Sequence, residues 1–177
     1  GFLVAALAPA EEPAERFLEA LRENGYYDVA LDYLETFSDS PAVSADFKKV
    51  LPFERAETLI KSTANIRNVD EWEAVLDEAQ KLLSQSAQLA DTPELQARSQ
   101  RYEGNLLYRR ARVYMRRSED DRLTAQEQQA LMKKAQEQLQ RSMEVYQQAR
   151  ASLKDLISNF QIDPDDPGSA GKKKSLE

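Results

Sequence analysis

The sequence predicts an all-α chain of about six helices, paired as antiparallel hairpins, with the last two helices long. Three observations carry this. Gly and Pro are scarce, 5 and 7 in 177 residues, whereas Ala, Leu, Glu, Gln, Lys and Arg, which lose little rotamer freedom in a helix, are abundant. Apolar residues recur at i, i+3, i+4 and i+7, which lines them up on one helical face. Helix start and stop signals then divide the chain into segments.

The first segment places Ala14, Phe17, Leu18 and Leu21 on one stripe, and Ala30, Tyr33, Leu34 and Phe37 repeat the spacing. Pro13 suits a first helical turn, where its missing N–H costs nothing, and Gly25 suits the left-handed residue beyond a helix end. The turn cluster Ser38-Asp39-Ser40-Pro41 closes this hairpin.

After a short separate segment from Ser44 to Val50, Pro52 is read as the next helix start. Phe53, Ala56, Leu59 and Ile60 carry its stripe to about Ala64. Asn65 to Val69 reads as a loop. Asp70 with Glu73 has capping-box spacing, and the helix it opens carries Trp72, Val75, Leu76, Ala79, Leu82 and Leu83 as far as Leu89.

Thr92-Pro93 is an N-cap followed by proline at the first helical position. Leu95, Tyr102, Leu106, Leu107, Ala111 and Tyr114 follow on a helix ending near Arg117. Beyond the charged loop from Ser118 to Arg122, Thr124 and Glu127 form a capping-box pattern that opens a helix to about Phe160. Met132, Leu139, Tyr146, Leu153 and Phe160 stand at heptad spacing on it, with Ala135, Ala149 and Leu156 three residues after members of that series and Ser142 interrupting it. That seam is expected to receive the helix starting at Pro93 within the same chain; a coiled coil between chains is the alternative.

Residues 11–160 therefore read as one helical domain, and residues 161–177 as a flexible tail or a linker to further repeats. In that tail Asp163, Asp165 and Gly168 fit three positions of a calcium loop, but Pro167 and Lys174 occupy positions that need ligands, so no calcium site is expected. Residues 1–10 form an apolar run ending in the A-x-A patterns Ala6-Leu7-Ala8 and Ala8-Pro9-Ala10, which reads as a signal-peptide remnant. An exported, periplasmic or cell-envelope location is the expectation, with a cytoplasmic one otherwise. At ten residues the run is too short to span a bilayer.

Several function classes lose their usual chemistry. There is no Cys and no His, which removes disulfides, thiolate nucleophiles, the commonest general base and the commonest metal ligand. No acid pair is flanked by the apolar pocket or glycine-rich turn that would raise one pKa for acid–base work. The chain is accordingly read as no enzyme, with no catalytic residue, no metal site and no cofactor. A net charge of −7 argues against nucleic acid as the main partner, because that binding rests on Lys and Arg neutralising phosphates.

The stretch Phe17-Leu18-Glu19-Ala20-Leu21-Arg22-Glu23-Asn24-Gly25, continued by Ala30, Leu34 and Phe37, resembles a tetratricopeptide repeat. In that resemblance Phe17, Leu18 and Leu21 take the apolar positions of the first helix and Gly25 the turn. Ala30 is the small residue that lets the second helix approach, and Pro41 falls one residue short of the closing proline. It covers about 30 residues, strongest over 13–41, and lacks the first-helix tryptophan and a small residue after Phe17. Gly104 and Ala111 can each serve as the small residue of the third hairpin. The phrase from Gly25 to Leu34 is also similar in flavour to repeat-containing envelope proteins of bacteria.

The resemblance implies a right-handed solenoid that binds a protein or peptide segment on the face formed by the first helices of the hairpins. For the first hairpin this places Glu12, Glu15, Glu19, Arg22 and Glu23 on the binding face. Residues 11–46 hold ten acidic and two basic side chains, so a partner with a basic segment would be steered there. The third hairpin has the opposite sign, with Arg98, Arg101, Arg109, Arg110, Arg112, Arg116 and Arg117 against Glu103. These arginines are expected to complement a helix C-terminus and to pair with acids on the neighbouring helix. A structural, oligomerising domain built on the long last helix is the alternative function.

Overall fold

The structure, a computed structural model, describes residues 13–38, 40 and 45–160. The expectations placed on residues 1–10, on Glu12 and on residues 161–177 lie outside the described residues. Those described form six helices, α1 Pro13–Glu23, α2 Tyr27–Ser38, α3 Ala45–Ser62, α4 Val69–Leu89, α5 Pro93–Ser118 and α6 Ala125–Asn159. Each packs on the next in sequence, and α3 also touches α5. The all-α class is as expected, and among the described residues no helix is long and apolar enough to cross a membrane.

The α1–α2 turn follows from Gly25, whose φ of 76° only glycine adopts without strain. Tyr26 N–H donates to the Leu21 carbonyl at 2.9 Å and Gly25 N–H to that of Arg22 at 3.1 Å, so both last-turn carbonyls are satisfied. Ala30 is completely buried, as a close approach of the two helices requires. Phe17 is not in the core: it is 49% exposed and stands edge-on to Tyr33.

Two helix starts differ from the sequence reading. Helix α3 begins at Ala45, not at Pro52, because Phe47 and Leu51 extend the apolar stripe backward and are buried against Ala14, Leu18, Ala30 and Leu34. Pro52 thus lies inside the helix, at the cost of one backbone hydrogen bond. Helix α4 is capped by Asn68, whose Oδ1 accepts from Asp70 N–H at 2.9 Å and Glu71 N–H at 3.4 Å. Asp70 and Glu73, expected to cap it, instead pair with Arg117 of α5 at 2.7 and 2.6 Å.

The remaining caps match. Thr92 Oγ1 accepts from Leu95 N–H at 3.2 Å. At the start of α6, Thr124 N–H donates to Glu127 Oε2 at 2.8 Å while Glu127 N–H donates to Thr124 Oγ1 at 3.3 Å, closing the capping box.

Two apolar cores share α3. Its first half joins α1 and α2, and its second half joins α4 and α5 through Phe53, Ala56, Leu59, Ile60, Trp72, Leu76, Leu106 and Val113. Helix α6 packs antiparallel along α5, with Ser118 of α5 opposite Met132 and Gln100 opposite Ser152. Of the predicted seam it buries the companion residues Ala135 and Ala149 rather than the large heptad series. Met132 is 40% exposed and Leu139, Tyr146 and Leu153 are half-buried, whereas Ala135, Ser142 and Ala149 are buried. They face an equally small series on α5, Ala97, Gly104 and Ala111, also at heptad spacing and buried. Gly104 and Ala111 therefore both serve as close-approach residues. Ser142, read as an interruption, is the centre of the contact: its hydroxyl donates to the Gly104 carbonyl at 2.8 Å.

Candidate interaction surface

The odd-numbered helices α1, α3 and α5 are joined by a charged seam. On α3, Glu54, Glu57 and Thr58 occupy adjacent i, i+3, i+4 positions, so they share a face beside the apolar stripe. All three are buried, which a helix can tolerate for charged groups only when each finds partners.

Arg22 of α1 supplies most of them. Its Nε and Nη2 donate to Thr58 Oγ1 at 3.0 and 2.9 Å, and Nη2 also donates to the Glu54 carbonyl at 2.8 Å. Its Nη1 lies 2.8 Å from Glu54 Oε2 and 3.5 Å from Glu57 Oε2. From the other side Arg98 of α5 reaches Glu54 Oε1 at 2.9 Å and Glu57 Oε2 at 3.4 Å, with its guanidinium over the Phe53 ring. The two oxygens of Glu54 thus bridge α1 to α5 through α3. Lys61 closes the seam toward solvent, 2.9 Å from Glu57 and 3.6 Å from Glu19.

The electrostatics follow from these contacts. Burial alone would push Glu57 up, but Arg22, a hydrogen bond from Tyr102 and Lys61 together hold it below the ordinary glutamate value of 4.5. Burial would likewise lower Arg98, and the Glu54 and Glu57 carboxylates raise it instead. Tyr102 is pushed well above its ordinary range by burial and then by the Glu57 charge, so its hydroxyl stays protonated as a donor. With Glu19, Glu54 and Glu57 set against Arg22, Lys61 and Arg98, the seam is internally balanced, and the acids near it on α1 stand in excess.

The residues predicted from sequence separate here. Glu19 is exposed, its side chain 53% accessible, and Glu23 is exposed. Glu15 is half-buried and close enough to act electrostatically on Arg98. Arg22 is not on an open face: it is 5% exposed. A helical wheel for α1 alone groups Arg22 with its charged neighbours, and only the facing Glu54, Glu57 and Thr58 draw it inward. The seam residues on α3 and α5 were not singled out as a site. Their signal was two glutamates and a threonine sharing a face of a helix that is apolar on its other side.

Several arginines of α5 pair as expected, while Arg101, Arg109 and Arg112 make no ion pair among the described residues. Arg110 pairs with Asp77, Arg117 with Asp70 and Glu73, and Arg116 with Glu119, while Arg112 lies over the Trp72 ring. Of the interleaved tyrosines Tyr102 is buried, Tyr114 half-buried and Tyr108 exposed. Comparison with protein-family models, with curated proteins and with solved structures gives no match to this chain.

Proposed function

We propose that the chain is a non-catalytic scaffold, tetratricopeptide-like in its first hairpin, that binds a protein or peptide segment carrying a basic stretch on the face formed by α1, α3 and α5. The observation that carries this reading is the seam: Glu54 ties three helices of separate hairpins together, and because the seam is charge-balanced with Glu19 included, exposed Glu23 beside it leaves the α1 edge acidic. Pre-organised side chains lose little freedom on binding, which favours recognition of an extended, flexible segment. The apolar run of residues 1–10 supports an exported location, which N-terminal sequencing of the mature protein in its native cell would check.

The test is charge reversal at exposed positions. Glu19→Lys with Glu23→Lys should weaken binding of a labelled Lys/Arg-rich peptide by about tenfold at low salt, and the difference should shrink as salt screens it. Equal binding by the double variant would refute the assignment of the face. A second reading, self-association through α6, is favoured by Met132 and Met143, which are 40% and 63% exposed on a helix whose main packing partner among the described residues is α5. A concentration-independent monomer in light scattering would remove it.

A further inference from the structure

Between α5 and the last turns of α6 lies an open groove of about 470 Å³, walled by Arg101, Tyr146, Arg150, Leu153, Lys154 and Ile157. The α6 members fall on one face by helical spacing. The Tyr146 hydroxyl is already engaged, donating to Asn105 Oδ1 at 2.6 Å, so its ring forms a wall beside half-buried Leu153 and Ile157. The floor is apolar and the rim is basic.

The rim charges are the informative part. Arg98, Arg110 and Arg117 on α5 each meet a carboxylate. Arg101 does not: it donates to the Tyr102 hydroxyl at 2.9 Å and lies against that ring. Arg150 and Lys154 make no ion pair among the described residues. Arg101, Arg150 and Lys154 thus place three cations, without a carboxylate partner among the described residues, around one apolar trough that no acidic side chain lines.

We infer that this groove docks a second kind of partner, a protein segment with one or two large apolar side chains flanked by carboxylates. The open trough leaves room for one or two large side chains. The apolar floor supplies burial and the three cations supply orientation and exclude a basic segment. This surface differs in sign and position from the acidic α1 edge, and its assignment stands independently of that reading.

The experiment uses the full chain and two panels of labelled 14-residue helical peptides, one with Leu or Phe at i, i+3, i+4 and i+7 among Asp and Glu, the other with Lys and Arg in place of the acids. The acidic panel should bind and the basic panel should not. Arg150→Glu with Lys154→Glu should weaken the acidic panel by about tenfold, whereas Arg141→Glu elsewhere on α6 and Glu19→Lys with Glu23→Lys should leave it unchanged. Circular dichroism should show the charge-reversed protein folded, since neither residue holds an ion pair. Equal binding of both panels, no binding of either, or preferential capture by phosphatidylserine vesicles would overturn the proposal. So would binding that emerges only when Asp163, Asp165 and Asp166 are changed to Asn, since that result assigns the groove to the chain's own acidic segment.

Discussion

Replacing Arg22 by methionine, which keeps the length of the side chain and removes its charge, tests whether the seam holds the first hairpin in place. In the folded protein the guanidinium makes two hydrogen bonds to Thr58 and one to the Glu54 carbonyl, and it ion-pairs with Glu54 at 2.8 Å, all with Arg22 only 5% exposed. Breaking a buried pair by removing one partner costs about 3–5 kcal/mol, because the other charge stays buried without compensation. Glu54 retains Arg98, and Glu57 retains Lys61 and Tyr102, so the lower end, about 3 kcal/mol, is expected. Against a domain stability of about 5–15 kcal/mol this is a large fraction.

Urea denaturation followed by circular dichroism measures the change. Arg22→Met should unfold at clearly lower urea, and Arg22→Met combined with Glu54→Gln should recover part of the loss, since the second change removes a buried charge left with one cation partner in place of two. Losses that simply add in the double variant, or a single variant within about 0.5 kcal/mol of the parent, would refute the reasoning.

Three further outcomes follow from the packing and the charges. Ala30→Leu places a large side chain at a fully buried contact between α1 and α2 and should cost about 1–3 kcal/mol, read from the melting temperature. Gly104→Leu should cost at least as much, about 1–3 kcal/mol, since even a Cβ there would meet the Tyr146 ring at 3.1 Å; an unchanged melting temperature would contradict the close α5–α6 approach. Glu57, lowered in the folded chain, contributes stability that is present above its ordinary value of 4.5 and is lost as pH falls below it, so Glu57→Gln should flatten the acid limb of a stability–pH curve.

The local parts of this fold were readable from sequence because their causes are local. Gly25, Thr92 and the Thr124–Glu127 pair act within one turn of chain, and each does what its residue type predicts. The misplaced starts share a different cause. Pro52 resembles a helix opening only if the burial of Phe47 and Leu51 against another hairpin is left out, and Asp70 resembles a cap only if Arg117, 47 residues away, is left out. The candidate surface was legible to the same degree. Exposed Glu19 and Glu23 follow from the wheel of α1, while the inward course of Arg22 depends on α3. That α6 packs on α5 was legible, but the Gly104–Ser142 centre of the contact was not, because Gly and Ser carry little hydrophobic signal. Their use is to let backbones approach, which only the partner helix reveals.

The position of Pro52 has a consequence for how the chain opens. Leu51 belongs to the small core with α1 and α2, and Phe53 to the large core with α4 and α5, so the helical hydrogen-bond ladder is interrupted where α3 passes from one core to the other. The first hairpin has the smaller core, and of its residues Leu31 packs against the large one, so apolar packing ties it only at one point and favours its opening as a unit. Arg22 reaches past Pro52 to Glu54 and Thr58, and Arg98 takes the other oxygen of Glu54, so the seam couples the hairpin to the large core across the interruption. Amide hydrogen exchange should therefore show α1 and α2 protected to a lower level than α4 and α5, and Arg22→Met should accelerate exchange in α1 and α2 far more than in α4 and α5. Equal acceleration in all four helices would mean that the chain opens as one unit and that the seam does not bridge two.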